Sequence, residues 1–278
     1  MERKELDRLG LRLEDEIQAA LGAGDRQRAL ELTSGLAKEY VLMHKGLRQV
    51  LELLLPWVEQ TFRNGQTALA TEITQAIEAG DQEQATSLLE RRTEQHRDVH
   101  DIVLRFWTEL MGYVYRQHGD AQLYAMHQHL ADQLRPAFDK WEGLPVGEFV
   151  RQSAFLLKSH LGNLTVTEDD EKFTLRQDPC GSGGRLLRAG EYEGPRPLAR
   201  VEAAQPITFG RPGFQIYCSH CAVWNNLATI DWYGHPQWVH TPPERPDDPC
   251  IIHIYKQAAS IPAEHYERLG RKKPAAEA

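Results

Sequence analysis

An α+β protein, with a duplicated helical bundle ahead of a small antiparallel-sheet domain carrying a Cys/His site, is the fold class that three features of the sequence predict. Apolar residues in the first half recur at spacings of three and four. Short runs in the second half alternate apolar and polar residues instead. All four cysteines and twelve of the fifteen prolines lie beyond residue 150. Charge divides the same way, because 25 of the 40 acidic residues but only 17 of the 32 basic ones fall in residues 1–150, where the net charge of −8 therefore arises. A boundary near residues 143–150 follows, giving a helical bundle over 1–146, a Cys-rich α+β domain over 147–270 and a disordered tail over 271–278.

The helical reading rests on apolar residues that recur at spacings of three and four through Leu30, Leu32, Leu36, Tyr40, Leu47, Val50, Leu51, Leu54 and Val58. The segment also repeats itself. Glu16-Ile17-Gln18-Ala19-Ala20-Leu21 followed by Ala23-Gly24-Asp25 is answered 56 residues later by Glu72-Ile73-Thr74-Gln75-Ala76-Ile77 followed by Ala79-Gly80-Asp81. At that offset His44 falls on His100, Leu51 on Trp107 and Trp57 on Tyr113. Each unit reads as a short helix, a Gly-Asp turn whose aspartate caps the next helix, and a long amphipathic helix. Two units make a bundle of about four helices, completed by segments near 121–142 and 147–161.

Beyond it, 163–168 and 172–177 alternate apolar and polar residues around Asp169-Asp170-Glu171 and read as a β-hairpin. Strands are also expected at 206–209, 214–218 and 250–256, separated by Gly- and Pro-rich connections. In the last of these, alternation puts Cys250, Ile252 and Ile254 on one face.

Composition excludes several function classes. No run approaches the ~20 apolar residues of a membrane span, and Met1-Glu2-Arg3-Lys4-Glu5 leads into no apolar signal core, so a cytoplasmic protein without a membrane partner is expected. A pI near 5.9 lacks the basic surplus that phosphate backbones require, which argues against nucleic acid. The apolar edges of the long helices lead us to expect self-association as a homodimer.

Chemistry concentrates in the cysteines. Cys218-Ser219-His220-Cys221 brings two thiols within reach of one soft cation, and Cys180 and Cys250 supply two more candidate ligands, with His160 and His220 as competitors. The expected cation is Zn²⁺, with Fe²⁺ as the alternative. Buried inert thiols or a redox pair are the other readings of the same residues. The second motif is Asp178-Pro179-Cys180-Gly181-Ser182-Gly183-Gly184-Arg185. Its glycines, Gly181, Gly183 and Gly184, let backbone N–H groups around Ser182 converge as an anion nest, with Arg185 available to fork onto a carboxylate or phosphate. A tight turn between strands would need the same glycines. With Cys180 at its mouth, the loop has the parts of a nucleophile facing an oxyanion hole.

His160 closes the last helix before the hairpin, as a helix cap or as a base. His100-Asp101 lies on the second repeat's long helix and either presents an imidazole inward or belongs to a polar face. His127 and His129, two apart on a helix, diverge. Trp224, Trp232, Trp238 and His240 follow the cysteine hook; they either fill a small core or line a pocket for an apolar or planar ligand.

The order of the Asp178–Arg185 loop, Tyr217-Cys218-Ser219-His220-Cys221 and Pro249-Cys250 before a final strand resembles a bacterial Cys-rich domain. More distantly it is similar to the cysteine-bearing domains of the 4-vinyl reductase group and of L-2-amino-thiazoline-4-carboxylate hydrolase-like proteins. The resemblance covers roughly residues 160–256. It implies a small-molecule pocket beside a metal or thiol site, with Cys218, Cys221 and Cys250 at the matching positions. The Gly-Ser-Gly-Gly loop, His220 and the N-terminal duplication fall outside that pattern.

Two functions follow from these residues. One is a metal- or thiol-dependent hydrolase or lyase acting on a small anionic organic molecule. In it Cys180, His160, His220 and His100 are the catalytic candidates, and the Gly181–Arg185 loop and Trp224 bind substrate. The other is a non-catalytic binder or sensor whose metal is structural.

Overall fold

A computed structural model describes residues 10–275. They separate into two compact units, one ending at Arg92 and one beginning at Thr93.

The first unit holds α1 (Leu13–Gly22), α2 (Arg26–Glu78) and the start of α3 (Gln82–Glu142). The Gly-Asp turns behave as a duplication requires. Gly24 and Gly80 both take left-handed backbone, with φ of 75° and 74°, where a side chain would be strained. Asp25 then accepts the Arg28 N–H and Asp81 the Gln84 N–H, each at 2.9 Å, so each carboxylate satisfies one of the orphan donors of the following helix. Around the second turn Leu69, Ile73, Ala76, Ala85 and Leu88 form a small core. The short helix expected at 72–77 is the end of α2 rather than a separate element, because the backbone runs helically through Asn64-Gly65 and past Pro56.

In the second unit α3 breaks at Gly119, whose φ of 78° and ψ of −175° are non-helical. The helix expected at 121–142 is its second segment, and α4 (Val146–Ser159) is the one expected at 147–161. The unit therefore takes in the long helix of the second repeat, and the division falls at Arg92/Thr93 rather than near 147. The physical reason is shared burial: Leu104, Met111 and Leu123 of α3 lie in one core with Ile216, Tyr217, Val223 and Leu227.

A four-stranded antiparallel sheet has the order β1 (Leu164–Glu168), β2 (Lys172–Gln177), β6 (Cys250–Tyr255), β5 (Val239–Thr241). The hairpin forms with the expected acidic turn, in which Asp169 Oδ1 accepts from both Glu171 and Lys172 N–H at 2.9 Å. Leu175 and Ile252 stand opposite each other in register, both fully buried against Phe149 and Val150 of α4. Cys250, Ile252 and Ile254 do share the buried face.

Two other strand expectations change. Pro206–Thr208 is a 3₁₀ turn, closed reciprocally by Gln205 and Thr208. Only Phe214–Gln215 (β4) remains extended before the cysteine hook, pairing with β3 (Arg200–Val201). Ile216–Cys218 already winds as a 3₁₀ turn. It continues through α6 (Ser219–Ala222), a π-helical turn at Val223–Leu227 and α7 (Ala228–Tyr233). Two short helices complete the unit, α5 (Gly183–Arg188) and α8 (Glu264–Glu267). Of the tail expected at 271–278, Arg271 is held by both Asp231 carboxylate oxygens at 2.8 Å and Lys273 donates to the Ala259 carbonyl at 2.6 Å; residues 276–278 lie outside the described residues.

Ile252→Ala should lower unfolding stability by about 2–5 kcal/mol, since it opens a cavity between sheet and α4. Asp81→Ala should cost only about 1 kcal/mol, the worth of a helix cap. Chemical denaturation of both variants tests the ranking, and an equal cost would contradict this assignment of the core.

Candidate active site

Where β2 ends, the chain passes a cis Asp178–Pro179 bond and is tied to Asn163, whose N–H donates to the Pro179 carbonyl and whose carbonyl accepts the Asp178 N–H. Arg176 and Arg188 both hold the Asp178 carboxylate at 3.0 Å. The loop Cys180–Gly184 then threads a gap with no room for side chains. A Cβ on Gly181 would stand 1.7 Å from the His160 carbonyl oxygen, one on Gly183 2.7 Å from Cys218 Sγ, and one on Gly184 2.9 Å from Cys180 Cβ. Glycine is demanded here by close approach, not by φ.

This threading turns the N–H groups of Gly184, Ser182 and Gly183 toward the Cys180 sulfur. The Cys250 thiol also donates to it, and this bond is the strongest influence; together they outweigh burial and bring the Cys180 thiol down to about 6. The group that the N–H donors of the expected nest face is therefore the loop's own Cys180 sulfur. Its neighbours behave oppositely. Burial pushes Cys218 up to about 12 and raises Cys221 well above the usual thiol range, while Cys250 is raised because it donates to Cys180.

Cys180 borders a cavity of about 480 Å³. Trp107, Trp141, Trp224, Trp238 and Tyr217 line it together with aliphatic side chains, and Cys221, Cys250, His160, His220, His240 and Ser182 add polar groups. Trp107 and Trp224 stack at 5.3 Å, and the His220 ring packs within 4.6–5.2 Å of Tyr217, Trp107 and Trp224. No lysine or arginine lines the cavity among the described residues. Such a wall receives an apolar or planar body and excludes water.

Burial favours the neutral form of His127, His220 and His240. His220 Nδ1 donates to the Tyr217 carbonyl at 2.5 Å, which leaves Nε2, 3.4 Å from Cys221 Sγ, as an acceptor for that thiol. Burial pushes His220 down to about 4, and His127 and His240 to about 3. His127 reaches Ser219 Oγ at 2.9 Å, whereas His129 is exposed, so the pair diverges as expected. His160 does cap α4, but its ring also enters the cavity wall. His100 lies behind Ser182 with its Nε2 3.2 Å from Ser182 Oγ, and its repeat counterpart His44 is exposed. Arg185 lies off the cavity, its Nη2 donating to Asp101 Oδ2 at 2.6 Å.

All four cysteines thus reach one region, but their sulfurs are engaged separately: Cys180 with Cys250, Cys221 with His220, and Cys218 against Gly183. Among the described residues no group of three or more His, Cys, Asp or Glu side chains is disposed to hold a metal ion. Trp107 and Trp141 are cavity residues that sequence reasoning did not assign to a site. The signal for Trp107 was available, because it follows His100 by seven positions and so shares its helix face.

Gly181→Ala should cost at least about 1–3 kcal/mol by forcing the loop off the His160 carbonyl. A variant as stable as wild type would refute that crowding. The three neutral buried histidines also set an acid limit. Their native pKa values lie below the unfolded value of ~6.5, so below that pH the unfolded chain takes up protons that the native chain refuses, and stability falls with pH by up to about 1.4 kcal/mol per pH unit for each histidine. Urea midpoints should therefore drop steadily from pH 7 to pH 5; a flat profile would contradict the burial of uncharged His127, His220 and His240. No family model, curated protein or solved structure matches this chain.

Proposed function

We propose that the protein is a thiol-dependent enzyme, a hydrolase or lyase, that acts on a small and largely apolar or planar organic molecule with Cys180 as the nucleophile. What carries this reading is the place of Cys180, a thiol brought down to about 6 by its hydrogen bonds, at the wall of a cavity lined by four tryptophans and several aliphatic side chains. Neither a buried inert cysteine nor a plain structural turn requires a thiol brought down to about 6.

In the hydrolytic form, Cys180 Sγ bonds to an electrophilic carbon of the substrate while the bond to the leaving group breaks. The leaving group departs with the electron pair and takes a proton from water. Water then adds to the S–C bond and releases the acid, and the sulfur returns as thiolate. The N–H groups of Ser182, Gly183 and Gly184 give up the sulfur's charge as the bond forms and become donors for charge developing on the substrate. His220 and His160 stand at the same wall. As neutral imidazoles they accept a proton from the attacking water rather than donate one at neutral pH. With no cation in the lining, it is the apolar body of the substrate that the cavity selects, and the anionic group expected from Arg185 is not required.

Alkylation by iodoacetamide tests the reading. The rate at Cys180, followed by peptide mass, should rise with a midpoint near pH 6 and occur at least tenfold faster at pH 7 than at Cys218, Cys221 or Cys250. Cys250→Ala should move the midpoint upward by removing the thiol donor. A midpoint near that of a free thiol, or a Cys180 no more reactive than the others, would sink the proposal.

A further inference from the structure

Ser182 carries an arrangement that the thiolate chemistry does not use. Its hydroxyl lies 3.2 Å from His100 Nε2, and His100 Nδ1 lies 3.0 Å from Asp101 Oδ1. Asp101 is in turn fixed by Arg185, which donates to its other oxygen at 2.6 Å. With the Nδ1 proton directed at a carboxylate, His100 presents a bare Nε2 to the serine, so the imidazole is in the tautomer a base requires. His160 Nδ1 also approaches that nitrogen, but at 3.4 Å it is the more distant neighbour. Ser182 also has the Tyr217 phenol as a hydrogen-bond partner, a second acceptor for its proton beside His100 Nε2.

Position agrees with chemistry. Ser182 is buried yet lines the aromatic cavity, whereas His100, Asp101 and Arg185 lie behind it, off the cavity wall. A nucleophile facing the ligand, a base behind it and a carboxylate orienting the base is the order that serine acyl transfer needs, and it is recognised by geometry rather than by chain position.

We infer that Ser182, with His100 as its base and Asp101 as the orienting carboxylate, is a second nucleophile that accepts acyl groups from esters whose apolar part fills the cavity. Ser182 Oγ bonds to the carbonyl carbon, the ester C–O bond breaks, and the serine proton passes to His100 Nε2 and from there to the departing alkoxide. Water, deprotonated by the same nitrogen, then attacks the seryl ester carbon; the C–Oγ bond breaks as His100 Nε2 returns that proton to Ser182 Oγ, and the acid is released. The two nucleophiles divide electrophiles by hardness: the thiolate takes soft carbon, and the hydroxyl takes carbonyl carbon or phosphorus.

An alkyl fluorophosphonate reads this site directly, because the Ser182 Oγ–P bond forms as fluoride leaves. The full-length protein should gain one adduct, located on the Ser182 peptide, and His100→Gln should slow its formation by at least ~100-fold. Asp101→Asn should slow it less. Iodoacetamide alkylation of Cys180 on the same preparations reads the thiolate separately and reports that the loop is intact. An alkylated Cys180 without a Ser182 adduct in the wild-type protein would overturn the inference while leaving the thiolate reading in place. An adduct with an unreactive Cys180 would support the serine and remove the thiolate. Labelling that proceeds as fast in His100→Gln as in wild type would overturn the role of the base.

Discussion

A sulfur anion in an apolar wall exists only where dipoles replace the water it has lost, and the convergence of three backbone N–H groups on Cys180 meets that need. Convergence of this kind requires a chain segment almost without side chains, packed so closely against its surroundings that a Cβ would not fit. The His160 carbonyl, Cys218 Sγ and the loop's own Cys180 Cβ occupy the space that Cβ atoms at 181, 183 and 184 would need. The same crowding that forbids those side chains holds the loop rigid, so the donors are aimed before any ligand arrives.

The elements around the loop each have a part in keeping that alignment. The antiparallel sheet places Cys250 at the start of β6, opposite Gln177 at the end of β2, and so delivers a thiol donor to the residue that begins the loop. The end of α4 supplies the carbonyl over Gly181 and the His160 ring. The irregular helix after Cys218, with its π-helical turn, turns Trp224 and Asn225 to the cavity while Asn226 Nδ2 ties the Cys221 carbonyl and His240 together. π-helical turns recur at functional sites because they rotate side chains out of the regular helical register. Burial pushes the His220 and His240 imidazoles at the same wall down, which favours their neutral form.

The duplication acquires meaning through its differences. Both copies keep the Gly-Asp turn, where the physics is local: a left-handed glycine and a capping carboxylate. They part along the long helix. His44 is exposed in the first copy, whereas His100 in the second is partly buried against Ser182, and Trp107 replaces Leu51 to form the aromatic wall.

The α+β class, the duplicated turns, the acidic hairpin and the buried face of the last strand were legible in the amino-acid sequence, because each follows from local chemistry: periodicity of apolar residues, glycine at positive φ, aspartate at a cap, alternation along a strand. The cysteines and the Gly-Ser-Gly-Gly loop were legible as chemistry, but their partners were not. Whether the nest holds a substrate or its own cysteine depends on where the His160 carbonyl and Cys218 crowd the loop. Whether Arg185 binds an anion depends on Asp101, 84 residues away. Likewise 214–218 reads as a strand in isolation, yet most of it coils because the fold needs Cys218 to begin a helix rather than to close a sheet. These outcomes belong to tertiary structure alone, since charge, burial and hydrogen-bond supply at one atom are set by groups that meet only when distant segments pack.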